Sequence, residues 1–565
     1  MKDICYWIAL IVGLVAVYSP ALNGSFIWDD VDLIRDNFLI TTPGGLKAIW
    51  SSREATDFWP VTNSVFWLEW KFFGERVLGY HLVNLALHAI NCFLLSRILR
   101  RLEIPFAGAI VAIFAFHPMN VESVAWIFQL KTLLSTTLVL GSALFYLRDR
   151  ASTTLMSVSL FALALLSKVS VVTWPLALTV FELHRTKSLV HAVKRAAPFL
   201  VLSLLAGLVN LRWYPYGSLS KADAINELDS VSRVLLLGWT SWFYFWKTIV
   251  PHPLAFLYPR WSIGSNSVVA WLPLVALAVV GGAVAFKTKW RESVFARAIF
   301  GYWLLLFPAL GLFTIYFQRY SFVADHWHYL ALPVAIIVLV VAVGRRLSEK
   351  RGLALAAFVV FVFAGLGFEH ARHFKGPEAI WTHAIDRSPR AFLAYNNLGL
   401  IQYESGRLRE AEANFLKALE AKPDYREALL NLGRAKKNEG KFVEAEALYQ
   451  KAIAVSPSFV TAYINLGSLY GTQRRIVEAE SAFGKALALD PKAAVVHFNL
   501  AALHQMQGDA ASTYRELGLA NKVSGLEAYR YGQRERALEF LEAAAKHLPD
   551  DSEVQARLNE LRVAN

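Results

Sequence analysis

Cysteine is nearly absent from this chain: two in 565 residues, Cys5 and Cys92, both inside apolar stretches. That scarcity argues against a disulfide framework and against a cysteine-based metal site. No Gly-rich phosphate loop is evident, so the usual mark of a nucleotide-sugar site is missing. The first apolar segment, 1–22, lacks a clear small-residue cleavage site before its polar loop, and is expected to stay as an anchor rather than leave as a signal peptide. Long apolar runs are themselves missing after about residue 370, where the chain takes the composition of a water-soluble helical protein.

What is present before that point is apolar surface. Hydrophobic residues make up 56% of the chain, with a mean hydropathy of +0.38, too much for an ordinary soluble protein. Runs long enough to cross a bilayer fall at 4–22, 81–99, 105–121, 127–147, 195–211, 267–286, 295–316, 326–345 and 352–370. The stretch 153–184 is interrupted by Lys168 and Pro175 and reads as a tight hairpin of two short spans. The formal charge of +13 does not call for nucleic acid as a partner, because the basic residues collect in short loops at 97–101, 148–150, 184–187, 194–195, 287–291 and 345–351. Basic loops mark the cytoplasmic side of a membrane protein. All six share one side if 234–250, rich in Trp239, Trp242, Tyr244 and Trp246, lies at the outer surface without crossing. That arrangement gives about 11 crossings, with the C-terminal module outside. The expected architecture is all-α: a polytopic transmembrane bundle over 1–370 and a soluble repeat domain over 371–565.

The second module declares itself by period. Pro389, Pro423, Pro457 and Pro491 are 34 residues apart. Asn397-Leu398-Gly399 returns as Asn431-Leu432-Gly433 and Asn465-Leu466-Gly467, and weakly as Asn499-Leu500-Ala501. Trp381, Phe415, Tyr449 and Phe483 keep the same period, as do Ala411, Ala445 and Ala479. A 34-residue period with these positions is the tetratricopeptide pattern, a stack of antiparallel helix pairs. Residues 377–389 match only the second helix of a repeat, and 532–551 resembles a displaced closing repeat. Such superhelices present concave surfaces for peptides or partner proteins.

The candidate chemistry lies in the external loops. "FIWDDVDLIRDN" places Asp29 and Asp30 shortly after the first anchored helix, where their height over the bilayer is fixed. Adjacent aspartates point different ways, so one suits a general base and the other its orientation. "HPMNVESVAW" sets His117 and Glu122 at the outer end of one span, and "VADHWHYLALP" sets Asp325, His326 and His328 at the outer end of another. Lys131 and Lys168 lie near the same level. Ionisable groups at spans are costly and tend to mark function. Together they supply an acid, a base and a cationic clamp for a phosphate. The bland alternatives are a solvated aspartate turn, a helix-capping His117 and snorkelling lysines. Asp325, His326 and His328 have metal-binding residue types, but no ligand spacing supports a metal.

These stretches, with "WPVTNSVFWLEWKFFGERVLGYHLVNLALHAINCFLL" (59–95), resemble the transmembrane, tetratricopeptide-repeat glycosyltransferases of the GT-C superfamily. That group includes protein O-mannosyltransferases of the endoplasmic reticulum and bacterial relatives of the same layout. The resemblance covers nearly the whole chain. It implies a lipid-phosphate-linked sugar as donor, polyprenyl phosphate as leaving group and inversion at the anomeric carbon. On it, Asp30 takes the acceptor's proton and Asp29 positions or shares that role. Glu122 holds acceptor or sugar, while Lys131, Lys168 and His326 offset phosphate charge. His81, His117 and Asp325 fall in matching substrate-binding stretches. The departures are Trp59 where the family usually has Arg, Thr132 where an Asp is common, and His326 in place of an Arg.

The function this implies is sugar transfer to a protein Ser or Thr hydroxyl on the outer face, with no cofactor beyond the lipid-linked donor and no metal indicated. The partners are membrane lipid, the polyprenyl-phosphate sugar and an acceptor protein held by the repeats. The expected location is a bacterial inner membrane with the active face in the periplasm, the alternative being the endoplasmic reticulum with a lumenal repeat domain. The competing function class is a non-catalytic, membrane-anchored repeat scaffold for envelope complexes. A flippase or transporter is disfavoured because the polar residues gather at one face rather than along a path.

Overall fold

A computed structural model describes residues 2–51, 58–213, 228–286, 293–313 and 315–563, and no β-strand occurs among them. The basic cluster at 287–291 lies outside the described residues, as do 52–57 and 214–227 between the expected spans. The chain divides into two compact units. One holds the described residues through Asp36, those from 58 to 213 and those from 228 to Pro389. The other holds 37–51 and the residues from Arg390 onward.

The first unit is a helical bundle. Five described helices are long and apolar enough to cross a membrane: Asp3–Leu22, Val77–Arg101, Ile127–Tyr146, Leu189–Asn210 and Glu349–Lys375. Ala107–Phe116 and Pro118–Ala125 meet the same test only together and are bent by 54° between them, the form of a broken span or a re-entrant loop. Shorter apolar helices follow at Ala151–Ser167, Val268–Ala283, Val294–Ala309 and Leu332–Gly344. Large apolar side chains such as Ile4, Leu155, Val268 and Phe361 point outward from these helices, as surface facing hydrocarbon does.

Local chemistry sets the breaks. The apolar stretch 153–184 divides into helices Ala151–Ser167 and Trp174–Thr186, with Lys168 extended at φ −158° between them. Pro175 sits in the first turn of the second helix, where its missing N–H costs no hydrogen bond. The first helix ends where Lys168 reaches Thr132, at the start of Leu130–Tyr146. The second ends where Arg185 meets Asp149, beyond the far end of that helix. The two therefore run up and down, as the sequence implies. The stretch 234–250 lies in the 20-residue helix Ser230–Ile249 and is not among the helices apolar enough to cross. It buries a polar face of Thr240, Ser241, Lys247 and Thr248. Gly238 is needed there because a Cβ would lie 2.5 Å from the backbone nitrogen of Leu274.

The second unit is a series of antiparallel helix pairs. The first three are Phe392–Glu404 with Leu408–Ala421, Arg426–Asn438 with Phe442–Val455, and Val460–Thr472 with Ile476–Leu489. The periodic residues explain themselves by packing. A Cβ on Gly399, Gly433 or Gly467 would lie 2.8, 2.5 or 2.7 Å from the ring of Phe415, Tyr449 or Phe483. The glycine of each pair admits the aromatic of its partner helix. Ala411, Ala445 and Ala479 are fully buried at the same crossings. The later pairs lengthen: Ala510–Arg530 runs 21 residues and packs through Gly525 on Leu541 of Arg534–His547. The in-phase aromatic Trp381 behaves differently. Its helix, Pro377–Arg387, belongs to the first unit, which extends to Pro389 rather than ending near residue 370.

Candidate active site

The aspartate pair is held by an unusual turn. Trp28 adopts φ +45°, the left-handed region that a bulky side chain avoids. Its ring is fixed on several sides: stacked on Trp126 at 5.8 Å, and edge-on to Phe256, Tyr320 and Trp381 at 5.6–6.0 Å. Strain of this kind persists only when the surroundings over-determine it, and such sites cluster at functional loops.

The turn sends the two carboxylates into different environments. Asp30 is fully buried. Its Oδ2 accepts the backbone N–H of Ile27 at 2.9 Å and its Oδ1 accepts that of Phe128 at 2.8 Å. Burial pushes its carboxyl well above the ordinary range, against the pull of the two amides. Asp29 also adds to that rise, and the Trp126 indole opposes it. Asp29 itself is only half-buried. Asp30 thus fastens two loops, and Asp29 beside it is half-buried.

Phe128 leads to the lysines. Lys131 places its ammonium 3.5 Å from the centre of the Phe128 ring and 4.4 Å from that of Trp59. Trp59, the departure from the family's Arg, therefore seats a cation instead of supplying one. Lys168 donates to Thr132 Oγ1 at 2.7 Å, and Thr132 donates to Gln129 Oε1 at 2.6 Å. At position 132 a hydroxyl thus does what a carboxylate would do for a lysine, without neutralising it.

Glu122 and His326 form a buried pair. His326 donates its backbone N–H to Glu122 Oε2 at 3.1 Å, and its Nδ1 lies 2.8 Å from Glu122 Oε1. Burial, with Lys168 and Lys131 nearby, drives the His326 imidazole well below its usual range. His326 is thus held against Glu122 through both its backbone and its ring. Asp325 accepts the Tyr258 hydroxyl at 2.9 Å through Oδ1, and its Oδ2 is buried without a hydrogen-bond partner. Burial and the nearby Glu122 raise its carboxyl well above the ordinary range. His328 is engaged by Tyr302 at 2.8 Å and Met119 at 3.3 Å. Asp325, His326 and His328 each turn to a different partner, so they do not converge as a metal set.

Two other predicted residues stand outside this cluster. His117 serves as a cap: its Nδ1 accepts the Met119 N–H at 3.3 Å and its Nε2 faces the Thr248 carbonyl at 3.2 Å. It sits at the 54° bend between Ala107–Phe116 and Pro118–Ala125. His81 is buried on Val77–Arg101, and both its ring nitrogens lack a hydrogen-bond partner among the described residues.

The same helix carries two residues that sequence reasoning misses. Asn84 donates to the carbonyls of Trp126 and Ile127 at 3.1 and 3.3 Å. His88 joins the Tyr329 hydroxyl at 2.6 Å to the Ala115 carbonyl at 3.0 Å. These two brace the site's walls from behind. The signal for both is present in the Gly-Tyr-His-Leu-x-Asn-Leu-x-x-His stretch, beside His81.

Comparison with known proteins adds a family context. The tetratricopeptide-repeat family model matches residues 378–426, 396–458 and 430–494. Over 427 residues the chain is 25% identical to the protein O-mannosyl-transferase F38B6.6 of Caenorhabditis elegans, covering 70% of this chain and 59% of that protein. It is 24% identical over 436 residues to protein O-mannosyl-transferase TMTC4 of Homo sapiens, covering 63% and 58%. The chain is thus similar to proteins named as protein O-mannosyl-transferases and carries tetratricopeptide repeats of its own. It spans about three fifths of the length of those two relatives. Among solved structures, TTC0263, a repeat protein of Thermus thermophilus, is 22% identical and covers 31% of this chain and 100% of its own, with a TM-score of 0.23. Pseudomonas aeruginosa pilF is 16% identical, covers 35% and 90%, and has a TM-score of 0.24.

Proposed function

We propose that the protein is an inverting glycosyltransferase that moves a sugar from a polyprenyl-phosphate carrier to a protein Ser or Thr hydroxyl on the outer face of a membrane. The observation that carries this reading is the division of labour in the aspartate pair: Asp30 tied to two backbone amides, Asp29 half-exposed beside it. The printed names of the relatives, protein O-mannosyl-transferases, make mannose the first sugar to test.

Asp29, rather than Asp30, takes the acceptor's proton. As that proton leaves, the hydroxyl oxygen forms its bond to the anomeric carbon from the face opposite the phosphate. The bond from that carbon to the phosphate oxygen breaks, and polyprenyl phosphate departs with the electron pair. Lys131 and Lys168 stabilise the charge that gathers on the leaving phosphate. Glu122, fixed by His326, and Asp325, with one oxygen unpartnered, serve to bind sugar hydroxyls. The sequence around Asp29 holds no nucleotide cradle, and no step requires a metal. The repeats bind the acceptor polypeptide and so raise its effective concentration.

The test uses full-length protein in lipid nanodiscs with polyprenyl-phosphate mannose and an unstructured Ser/Thr-rich acceptor, reading out released polyprenyl phosphate. Turnover that falls with Asp29→Asn supports the reading. Wild-type turnover in Asp29→Asn removes Asp29 as base. No transfer from any polyprenyl-phosphate sugar, with normal function in cells, favours the scaffold.

A further inference from the structure

Three histidines that no step of the proposed reaction uses come together where the last apolar helix gives way to the helix bearing Trp381. His370 lies near the end of Glu349–Ala371, His373 in the single turn Arg372–Lys375, and His383 on Pro377–Arg387. One ligand nitrogen from each lies within 4.8 Å of the other two. Among the described residues, this is the one group of three potential ligands with that geometry.

The pattern follows from the local fold. His370 and His373 are three residues apart across a helical turn, so they share a face. The turn at Gly376 brings the next helix back, and His383 arrives opposite them. The rings of His373 and His383 are stacked at 3.8 Å with planes 12° apart, while His370 meets His383 at 5.5 Å. His370 and His383 are buried, and His383 Nδ1 is buried with no hydrogen-bond partner. An orphaned buried ring nitrogen is costly, and it faces a cluster of two further imidazoles.

We propose that His370, His373 and His383 form a binding site for one divalent transition metal of zinc type, with water completing the coordination. Imidazole is a ligand of choice for zinc, and three histidines plus water is an established tetrahedral set. With metal–nitrogen bonds of about 2.0–2.1 Å, the ligand atoms must sit about 3.4 Å apart. Binding therefore requires the three imidazoles to close from within 4.8 Å and the stacked pair to separate, a side-chain rearrangement in which His373 is the half-buried member of the three. The charges around it are mixed: Arg372 and Arg387 on one hand, Glu369 and Asp386 on the other.

The site's position gives it a purpose. His383 stands two residues from Trp381, whose ring packs against Trp28 and Phe256 at 5.6 Å each. Phe374, next to His373, also packs on Phe256. A metal joining His370 and His373 to His383 clamps Pro377–Arg387 to the helix before it. It thereby fixes the aromatic wall beside Asp29 without touching the reacting atoms.

The experiment uses full-length protein in nanodiscs, its affinity tag removed and its metals stripped with chelator. Zinc is titrated against a chromophoric competitor, and Co²⁺ is added separately to read ligand-field absorption. One zinc per chain is expected, with tetrahedral cobalt bands and a thermal transition raised by zinc but not by Mg²⁺. His373→Ala, at a half-buried position, keeps the metal-free transition temperature and loses at least about tenfold in zinc affinity. His383→Gln does the same and loses the cobalt bands. Zinc binding of equal strength in the doubly substituted protein overturns the proposal, as does a wild-type protein that binds no zinc. Neither readout depends on glycosyl transfer, so its failure is distinct from failure of the glycosyltransferase reading.

Discussion

Phe128 donates its backbone N–H to Asp30 across 98 residues of sequence, at 2.8 Å. One hydrogen bond therefore joins the first external loop to the segment that carries Lys131. It also separates the two aspartates by environment, since the accepting carboxylate is buried and the adjacent one is half-buried.

Asp29→Asn is expected to keep the thermal transition of the wild type and lower turnover by about 10²–10⁴-fold, the usual contribution of a general base. Asp30→Ala is expected to unfold more easily, because two buried amides lose their acceptor at about 1–3 kcal/mol each. Differential scanning fluorimetry alongside a transfer assay separates the pair. Equal loss of stability in both variants contradicts the assignment.

Lys131→Gln removes an ammonium seated on two aromatic rings. If that charge faces the leaving phosphate, kcat falls by about 10²–10³-fold while the fold survives. An unchanged kcat in Lys131→Gln removes it from the phosphate-binding set.

Asp325 supplies a pH test. Its folded carboxyl lies above the unfolded value, chiefly through burial. Its contribution to stability is therefore full below the unfolded pKa and disappears as pH rises through the folded one. Asp325→Asn mimics the neutral form, so its transition temperature should gain on the wild type as pH rises. A difference that stays flat or shrinks with pH contradicts a raised carboxyl.

Gly433→Ala places a methyl group 2.5 Å from the Tyr449 ring. Overpacking of this kind costs about 1–3 kcal/mol. Gly484→Ala, on Ile476–Leu489 with no atom within 4 Å, is the control and should stabilise by up to about 1 kcal/mol. Guanidinium unfolding of the full chain in detergent reads both. Equal effects at the two positions contradict the packing explanation.

The repeats were legible because each periodic residue has a local packing reason, with Gly399 against Phe415 repeating as Gly433 against Tyr449. The helical membrane unit was legible from its apolar runs, and the break at Lys168 from its charge. The site was legible in composition but not in role. Sequence places Asp29 and Asp30 side by side, but it cannot show which one meets the amide of a residue 98 positions away. Nor does sequence show that the His117 ring caps Met119. Trp381 keeps the repeat period in sequence yet packs on Trp28, because its helix sits in the membrane unit. The cluster of His370, His373 and His383 carries no motif spacing, since it depends on the turn between two helices.

The ammonium of Lys131 resting against Phe128 and Trp59 makes the charge at one position depend on the ring at the other. Arginine in place of Trp59 would remove one of those two rings and set a second cation beside the first. That single change should therefore impair this protein, and a cation at 59 calls for a new seat for the one at 131.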